Sequence, residues 1–447
     1  MKSMKQPVCP WTPEDEREHF PSIIEWWCTE GFFKTVENNK RWSFKTTFTE
    51  WFQTKPKKIG SLYNLSLFDR EVGKHFLYYT RNDSKQLESK KDCFEVRFKD
   101  CFLKGLYPDY EMKVKNKEKN IELHLKYHAE SLPYWVTQQI TGGYIPMGLG
   151  SYRYGFIPKG KISGTMNIDE KKFNVVGKGY YEHVWGNFSY TNPFRSFSEF
   201  KKTVSTYAKL IGWRISGSKI RIPKSITFST ENNPLGYDWV WALLDNGWSL
   251  FYGNALFWIM QGPALGTLIL SKDGKTYHEF SKISFRYNKT KYAKCYDFYY
   301  PTDLELTAET KKEKLHLRFK MESDAGEYIN RFFGGKIFLG FVICEAPGVV
   351  DGFYFDGKEE IKLTGICKIE PQRQISRVGH NMLKLDFLLP PEGVGVAMDF
   401  DSHFFEKKIS AKIQLMPSPK MKCSFKRIDR SKIHKNIQTS QFKRDLQ

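Results

Sequence analysis

Apolar and polar residues alternate over short stretches along most of the chain, which is the pattern of half-buried β-strands. In the stretch 121–128, for example, the apolar residues from Ile121 to Tyr127 share one face and the polar residues between them share the other. Turn sequences such as Asp245-Asn246-Gly247 separate many of these stretches. Two series of short strands, one on each side of about residue 293, therefore predict an all-β protein with two antiparallel barrels or sandwiches.

One part of the chain departs from this alternation. Residues 188–233 are basic, and apolar residues recur there at helical spacing from Phe197 to Ile211. This spacing predicts one amphipathic helix over about 196–213. Such a helix either packs on its own domain or lies on an anionic membrane surface, and the pattern leaves both interpretations open.

The 447 residues are enough for two or three domains. We place the limit between the two domains where the first series of strands ends and the second begins. We expect an N-terminal barrel over 20–292 that carries the insertion at about 188–233, a C-terminal barrel over 293–417 and a basic tail over 418–447.

The stretch 177–186, Gly-Lys-Gly-Tyr-Tyr-Glu-His-Val-Trp-Gly, places a carboxylate, an imidazole and an indole between glycines. In an extended segment Tyr181, His183 and Trp185 share one face, while Glu182 points to the other. An imidazole beside two π surfaces suits proton transfer to an electron-rich or transiently cationic ligand. The alternative is a packed strand end in which His183 is a structural hydrogen-bonding group.

Composition and charge narrow the classes of function. Aromatic residues make up 16% of the chain, and in a β-rich protein such rings fill barrel interiors or line an apolar cavity. The formal net charge of +20 favours anionic partners, but no nucleic-acid-binding motif accompanies it, so nucleic acid is not an expected partner. The eight cysteines form no Cys-x-x-Cys pair, and neither a signal sequence nor a run of about 18 apolar residues is present. These features predict a reduced, cytoplasmic protein.

Four stretches carry a family resemblance when they are taken in order. They are Glu25-Trp-Trp-Cys-Thr-Glu-Gly-Phe32, Ser151-Tyr-Arg-Tyr-Gly-Phe-Ile-Pro158 with Ile162-Ser-Gly-Thr165, Gly179-Tyr-Tyr-Glu-His-Val-Trp-Gly186, and Trp239-Val-Trp-Ala-Leu-Leu-Asp-Asn-Gly247. Together they resemble the carotenoid 1,2-hydratase (hydroxyneurosporene synthase)/AttH-like family over about 20–290, and more weakly to about 417. Glu182 replaces the commoner Asp, and Cys28 replaces Tyr. The resemblance implies two lipocalin-like β-barrels with an apolar ligand cavity, in a family that includes hydratases, pericyclases and lipid-handling proteins.

This resemblance implies a hydratase- or cyclase-like enzyme that protonates an isoprenoid-type alkene and stabilises the cation in an aromatic cavity. The candidate catalytic residues are His183, Glu182 and Asp238. Glu182 is the candidate acid, but His183 is favoured as the pocket residue because Glu182 faces the other way. The candidate ligand-binding residues are Trp185, Tyr181, Trp239, Trp241, Trp26, Trp27 and Tyr152, and Glu25, Gly179 and Gly186 are expected to support them. No metal or cofactor is expected, since the reaction requires neither.

Two other classes of function stay open. In one, the same aromatic residues line the passive cavity of a non-catalytic carrier of a lipophilic molecule. In the other, the protein docks through its basic face, and peripheral contact with an anionic membrane is the form considered. The nucleophile elbow, phosphate-binding glycine loop and dinucleotide fingerprint are absent, so a hydrolase, kinase or dehydrogenase is not predicted.

Overall fold

A computed structural model describes residues 10–19, 22–52, 58–82, 87–90, 93–147, 150–187, 196–215, 225–229, 236–256, 266–293, 298–323, 325–333, 337–378, 381–388, 394–402, 407–415 and 422–426. Most of these residues are in β-strands, and the strands form two antiparallel sheets. The prediction of an all-β protein built from two antiparallel units is confirmed.

The first sheet contains thirteen strands. They are β1 (Ile24–Thr35), β2 (Arg41–Phe52), β3 (Lys58–Asp69), β4 (Lys74–Asn82), β5 (Leu87–Ser89), β6 (Glu95–Phe98), β7 (Cys101–Leu106), β8 (Asp109–Asn116), β9 (Ile121–Ala129), β10 (Tyr134–Trp135), β11 (Tyr144–Met147), β12 (Gly150–Ile168) and β13 (Lys171–Gly186). The order is β4-β3-β2-β1-β13-β12-β9-β8-β7-β6-β5, with β10 and β11 paired to β12. The first strand therefore lies beside β13, and Trp27 is opposite His183.

The second sheet contains fifteen strands. They are β14 (Ser225–Ser229), β15 (Gly236–Leu244), β16 (Ser249–Leu256), β17 (Gly266–Ser271), β18 (His278–Phe280), β19 (Lys282–Ala293), β20 (Phe298–Glu309), β21 (Lys314–Met321), β22 (Gly326–Phe333), β23 (Ile337–Phe355), β24 (Glu360–Val378), β25 (Asn381–Leu388), β26 (Val394–Ser402), β27 (Lys407–Leu415) and β28 (Lys422–Lys426). The main order is β18-β17-β16-β15-β24-β23-β21-β20-β19, and β25 to β28 continue from β24.

The sheets divide the chain at a different place from the predicted limit between 292 and 293. Strands β15 to β18 belong to the second sheet because β15 pairs with β24, with Trp239 opposite Glu370. The predicted tail also begins too early, since β28 lies within 418–447 and pairs with β27. Residues 427–447 lie outside the described chain.

Two helices occur in the described chain, α1 (Gln138–Thr141) and α2 (Phe197–Ile215). The second confirms the predicted amphipathic helix, and it packs against β11 and β12. The other parts of the predicted insertion, apart from β14, lie outside the described residues. Within the described ranges, no helix is both long enough and apolar enough to cross a membrane.

Apolar side chains form three cores. Each sheet curls around one, and Trp27 and Tyr181 belong to the core of the first sheet. The third core lies between the two sheets and contains Tyr180, Trp239 and Trp241. Successive residues of β13 therefore face different cores, which places the side chains of the predicted motif in two separate environments.

Candidate functional site

The segment before β1 contacts the inside of the first sheet, and we call residues 10–19 the N-terminal strap. Its centre is a 3-10 turn, Pro13–Glu16, for which Thr12 is the N-cap. The Trp11 ring stacks on Trp135 with 4.6 Å between ring centroids. Asp15 Oδ1 accepts a hydrogen bond from Arg153 Nη1 at 2.8 Å. The strap is thus fixed to the sheet by ring stacking and by an ion pair.

The strap also buries the carboxyl group of Glu16. This group accepts hydrogen bonds from Tyr110 Oη at 2.6 Å, Trp11 Nε1 at 2.7 Å, Tyr181 Oη at 3.1 Å and the backbone N–H of Tyr107 at 3.1 Å. Desolvation by burial raises the pKa of Glu16, and the hydrogen bonds offset this only in part. The hydroxyl of Tyr181, a predicted ligand-binding residue, therefore donates its hydrogen bond to Glu16 of the strap.

Replacing Glu16 by glutamine is expected to make stability less dependent on pH. Because the pKa of Glu16 in the folded protein lies above its ordinary value of 4.5, the folded state keeps a proton that the unfolded chain has lost. The free energy of unfolding therefore falls as pH rises from 4.5 through the folded-state pKa, by at most about 1.4 kcal/mol per pH unit. Urea unfolding at a series of pH values should show a smaller decline for Glu16→Gln than for the wild type and for Glu88→Gln, which changes an exposed carboxylate. Equal slopes would contradict the expectation.

The first and last strands of the first sheet bring an imidazole and a carboxylate together beside the strap. His183 Nε2 lies 2.7 Å from Glu25 Oε1, and both side chains are completely buried. His19 Nδ1 lies 2.9 Å from the same oxygen, and the His19 backbone N–H donates to Glu25 Oε2 at 2.8 Å. We call His19, Glu25 and His183 the His–Glu–His cluster.

The partners of His183 determine where its protons are. Nδ1 lies 2.7 Å from the carbonyl oxygen of Asp15, which can only accept, so Nδ1 carries a proton and donates it. Desolvation by burial lowers the pKa of His183, so the ring is neutral near pH 7 and its Nε2 presents a lone pair. The contact between Nε2 and Glu25 Oε1 therefore contains either a proton held by the carboxyl group or a cation.

Indole rings enclose the cluster. Trp27 stacks on His183 with 4.8 Å between centroids, and Trp185 stacks on His19 with 3.5 Å between centroids. Desolvation by burial, with a further contribution from Arg153, lowers the pKa of His19 to about 3. His19 is thus also neutral near pH 7.

A cavity of about 260 Å³ adjoins the cluster at the ends of β12 and β13. His19 and Trp185 form one part of its wall, and Glu199 and Lys202 of α2 form another. The complete lining is His19, Ser22, Tyr144, Ser151, Tyr152, Trp185, Gly186, Asn187, Glu199 and Lys202. His19 is the member of the cluster that reaches this space.

Glu182 lies on the other face of β13, between the two sheets. It accepts hydrogen bonds from Trp26 Nε1 at 3.0 Å, from Tyr180 Oη at 2.8 Å and from the hydroxyl of Tyr154. Trp239 Nε1 in turn donates to Tyr154 Oη at 3.0 Å. Since every partner donates to Glu182, the geometry suits a carboxylate that accepts hydrogen bonds better than the predicted proton donor.

The remaining predicted residues lie elsewhere or serve packing. Asp238 faces the core of the second sheet, where it pairs with Arg373 at 2.9 Å and accepts from Tyr287, so the structure does not bring it to His183. Trp241 is completely buried between the sheets and donates to the Pro158 carbonyl oxygen at 2.8 Å. The two supporting glycines permit close strand packing. A Cβ at Gly179 would lie 2.6 Å from Ile162 Cδ1, and one at Gly186 would lie 2.4 Å from the Cα of Tyr152.

Sequence reasoning missed His19, Asp15, Glu16 and Glu199. The first three lie in a polar, Pro-containing segment without periodicity, and the predicted helix gave no reason to single out Glu199. The one local signal was Thr12-Pro13 followed by Asp15, an N-cap pattern that predicts a short helical turn.

Comparison with protein-family models and with curated proteins finds no match. The solved structures with a similar fold include the following two. One is the AttH protein of Nitrosomonas europaea, with a TM-score of 0.55, 16% identity and coverage of 81% of this chain and 97% of that one. The other is kievitone hydratase of Nectria haematococca, with a TM-score of 0.52, 11% identity and coverage of 81% and 93%. At these identities the likeness shows the fold alone: it confirms the predicted lipocalin-like, AttH-type architecture and does not single out carotenoid hydratases.

Proposed function

We propose that the protein is a hydratase-like lyase that adds water to a carbon–carbon double bond of a lipophilic small molecule. The observation that carries this proposal is the position of His19, which lines a cavity while its ring contacts Glu25 and, through it, His183. The buried pair of Glu25 and His183 is thus linked through the His19 ring to a cavity that can hold a ligand. The similarity in fold to a protein named kievitone hydratase supports the same type of reaction.

The cavity wall contains the groups that hydration needs. Adding water places hydrogen on one carbon and hydroxyl on the other, so one group must deliver a proton and another must activate the water. We assign water activation to the His–Glu–His cluster and proton delivery to Glu199. The rings of Trp185 and Tyr152 offer π faces to positive charge that develops on the alkene.

The cavity also limits the substrate. Its volume of about 260 Å³ is below the usual range for small-molecule sites, about 300–1,000 Å³. It therefore suits the reacting end of a molecule, such as one terminal isoprenoid unit, rather than a long chain. Burial raises the pKa of the Tyr152 hydroxyl, so Tyr152 lines the cavity as a neutral phenol.

Native extraction followed by labelling tests the reaction. The protein is purified from its own cells and stripped with organic solvent, and each extracted lipid is returned to it in water labelled with heavy oxygen. We expect a product that is heavier by one water and carries the label. An unlabelled isomer would instead indicate a cyclase, and a lipid recovered unchanged in every reaction would contradict the proposal.

A larger cleft supports an alternative function, the non-catalytic carrier. It has a volume of about 1240 Å³, and its lining includes Leu106, Tyr110, Tyr127 and Val176. Four lysines and three carboxylates also line it: Lys104, Lys126, Lys161, Lys178, Glu95, Asp109 and Glu111. The rings and aliphatic groups suit a lipophilic molecule. Binding of a fatty acid that is weakened by Val176→Glu, without any change in the lipid, would favour this alternative.

A further inference from the structure

We propose that His19, Glu25 and His183 bind a divalent first-row metal ion, with zinc the one that best suits a reaction without redox chemistry. The catalytic part of this inference, in which the ion activates the water, rests on the proposed hydratase function. The binding site itself rests on geometry alone. It also departs from the expectation that no metal is needed, because the sequence gives no indication that these three residues meet.

The ligand atoms are close enough to share one ion. His19 Nδ1, Glu25 Oε1 and His183 Nε2 all lie within 4.8 Å of one another, and two of the separations are 2.7 and 2.9 Å. In a tetrahedral zinc site with bonds of about 2.0–2.1 Å, neighbouring ligand atoms are about 3.3 Å apart. Opening the two short separations by about 0.4 and 0.6 Å, together with an adjustment between the two histidine nitrogens, would accommodate the ion. Two histidines with one glutamate are a set of ligands found in catalytic zinc sites.

Backbone groups hold the second polar atom of His183 and that of Glu25. His183 Nδ1 donates to the Asp15 carbonyl oxygen, which leaves Nε2 free for the ion. Glu25 Oε2 accepts from the backbone N–H of His19, and Oε1 is the oxygen that faces both imidazoles. In known metal sites, hydrogen bonds of this kind to the ligating side chains fix the orientation of the ligands. The strap therefore supplies one ligand and two of the groups that orient the others.

The local charge permits a cation. The guanidinium of Arg153, whose charge acts on both histidines, is paired with the Asp15 carboxylate at 2.8 Å. A divalent ion with one glutamate and one hydroxide is neutral overall, which reduces the cost of placing it in a buried site.

The position of the cluster gives the ion a function. Since His19 and Trp185 line the cavity, a water on the open coordination position would face the proposed substrate. The ion would supply a water of lowered pKa. The π electrons of the double bond would take a proton from Glu199, the water oxygen would bond to the other carbon, and the proton that this water releases would restore Glu199, so one water is consumed overall. No oxidant or reductant takes part.

Metal analysis of the full-length protein tests the site. The chain is purified without a polyhistidine tag or chelator, its metals are measured by mass spectrometry, and the metal-free protein is titrated with zinc and with cobalt. We expect one ion per chain, a rise in Tm with zinc and the visible absorption of tetrahedral cobalt. His19→Ala should weaken zinc binding at least about 100-fold, because loss of an orienting contact alone costs about 10–100-fold.

The control is His124→Ala, which removes an exposed histidine that pairs with Glu111 at 2.6 Å. It should bind zinc as the wild type does. His19 is a suitable target because its side chain is 23% exposed, so its loss disturbs the core less than loss of the buried His183. Circular dichroism verifies that the variant is folded.

Three outcomes decide between the two proposals. A folded wild type that binds neither zinc nor cobalt, or that binds them equally well after His19→Ala, overturns the metal site. If the same protein still hydrates its substrate in the presence of a chelator, the proposed function stands without the ion. If the ion binds and His19→Ala removes it but no water is added to any lipid, the metal site stands and the hydratase proposal fails.

Discussion

Replacement of Lys368 by methionine is expected to lower the free energy of unfolding by about 3–5 kcal/mol. The Lys368 ammonium pairs with Glu345, and both side chains are completely buried. Lys368 Nζ also donates to Ser43 Oγ at 3.1 Å, which joins β24 of the second sheet to β2 of the first. Methionine fills a similar volume but leaves the Glu345 carboxylate buried without its cation, and that loss dominates the effect.

The surrounding charges compensate for this loss only in part, although the charge of Lys45 also acts on Glu345. Lys45 is the other buried lysine at this junction, and it is already engaged by Glu30 at 3.3 Å and by Glu370. Without Lys368, the three buried carboxylates at this junction, Glu30, Glu345 and Glu370, share Lys45 as their buried lysine. The loss of stability therefore arises at the contact between the two sheets.

Matched variants separate this effect from simple loss of packing. Lys368→Met combined with Glu345→Leu removes both charges and should recover most of the stability, because a buried pair replaced by apolar residues is often neutral. Lys282→Met breaks an exposed pair with Glu309 and should cost less than about 1 kcal/mol. Urea unfolding measures all three. A loss below about 1 kcal/mol for Lys368→Met would show that the buried pair is not needed.

Replacement of His19 by alanine is expected to reduce kcat/KM for hydration by about 100- to 10,000-fold. His19 is the member of the cluster that lines the cavity, so the substrate loses its contact with the group that activates water, whether the cluster shares a proton or holds an ion. Most of the loss should appear in kcat, because the rings of Trp185 and Tyr152 that contact the substrate are unchanged.

The measurement compares steady-state kinetics of the wild type, His19→Ala and the control His124→Ala. The control should retain the kinetic constants of the wild type, since His124 lies outside the cavity and pairs with Glu111. Equal kcat values for all three folded proteins would remove His19 from the mechanism. They would leave Glu182, between the sheets, as the next candidate.

The local features of the fold were predictable, but the assignment of strands to sheets was not. Alternation and turn residues determine where strands form, and helical spacing locates α2 within two residues at its ends. The pairing of Trp239 with Glu370 joins residues 131 positions apart in the chain, 370 minus 239. No local pattern contains this information, so the predicted limit between 292 and 293 does not follow the sheet to which the strands from Ser225 to Ala293 belong.

The site was predictable only where it depends on strand geometry. Alternation correctly predicts that the side chains of His183 and Glu182 point to opposite faces of β13. It also identifies the face, that of His183, on which the cluster lies. His19 escapes prediction because it reaches the site through the irregular path of the strap. Composition also cannot distinguish rings that line a cavity, such as Trp185, from rings that fill a core, such as Trp27.

The long-range contacts of the strap have a consequence for synthesis of the protein. His183 bonds to Asp15 and Glu25 across separations of 168 and 158 residues. During translation the strap leaves the ribosome first, whereas its partners on β13 leave after the rest of the first sheet. Trp11 and the carboxyl group of Glu16 therefore have no complete binding surface until translation has passed residue 186. For that period the nascent chain exposes an aromatic segment that a chaperone can bind, and the cluster can assemble only after the sheet has closed.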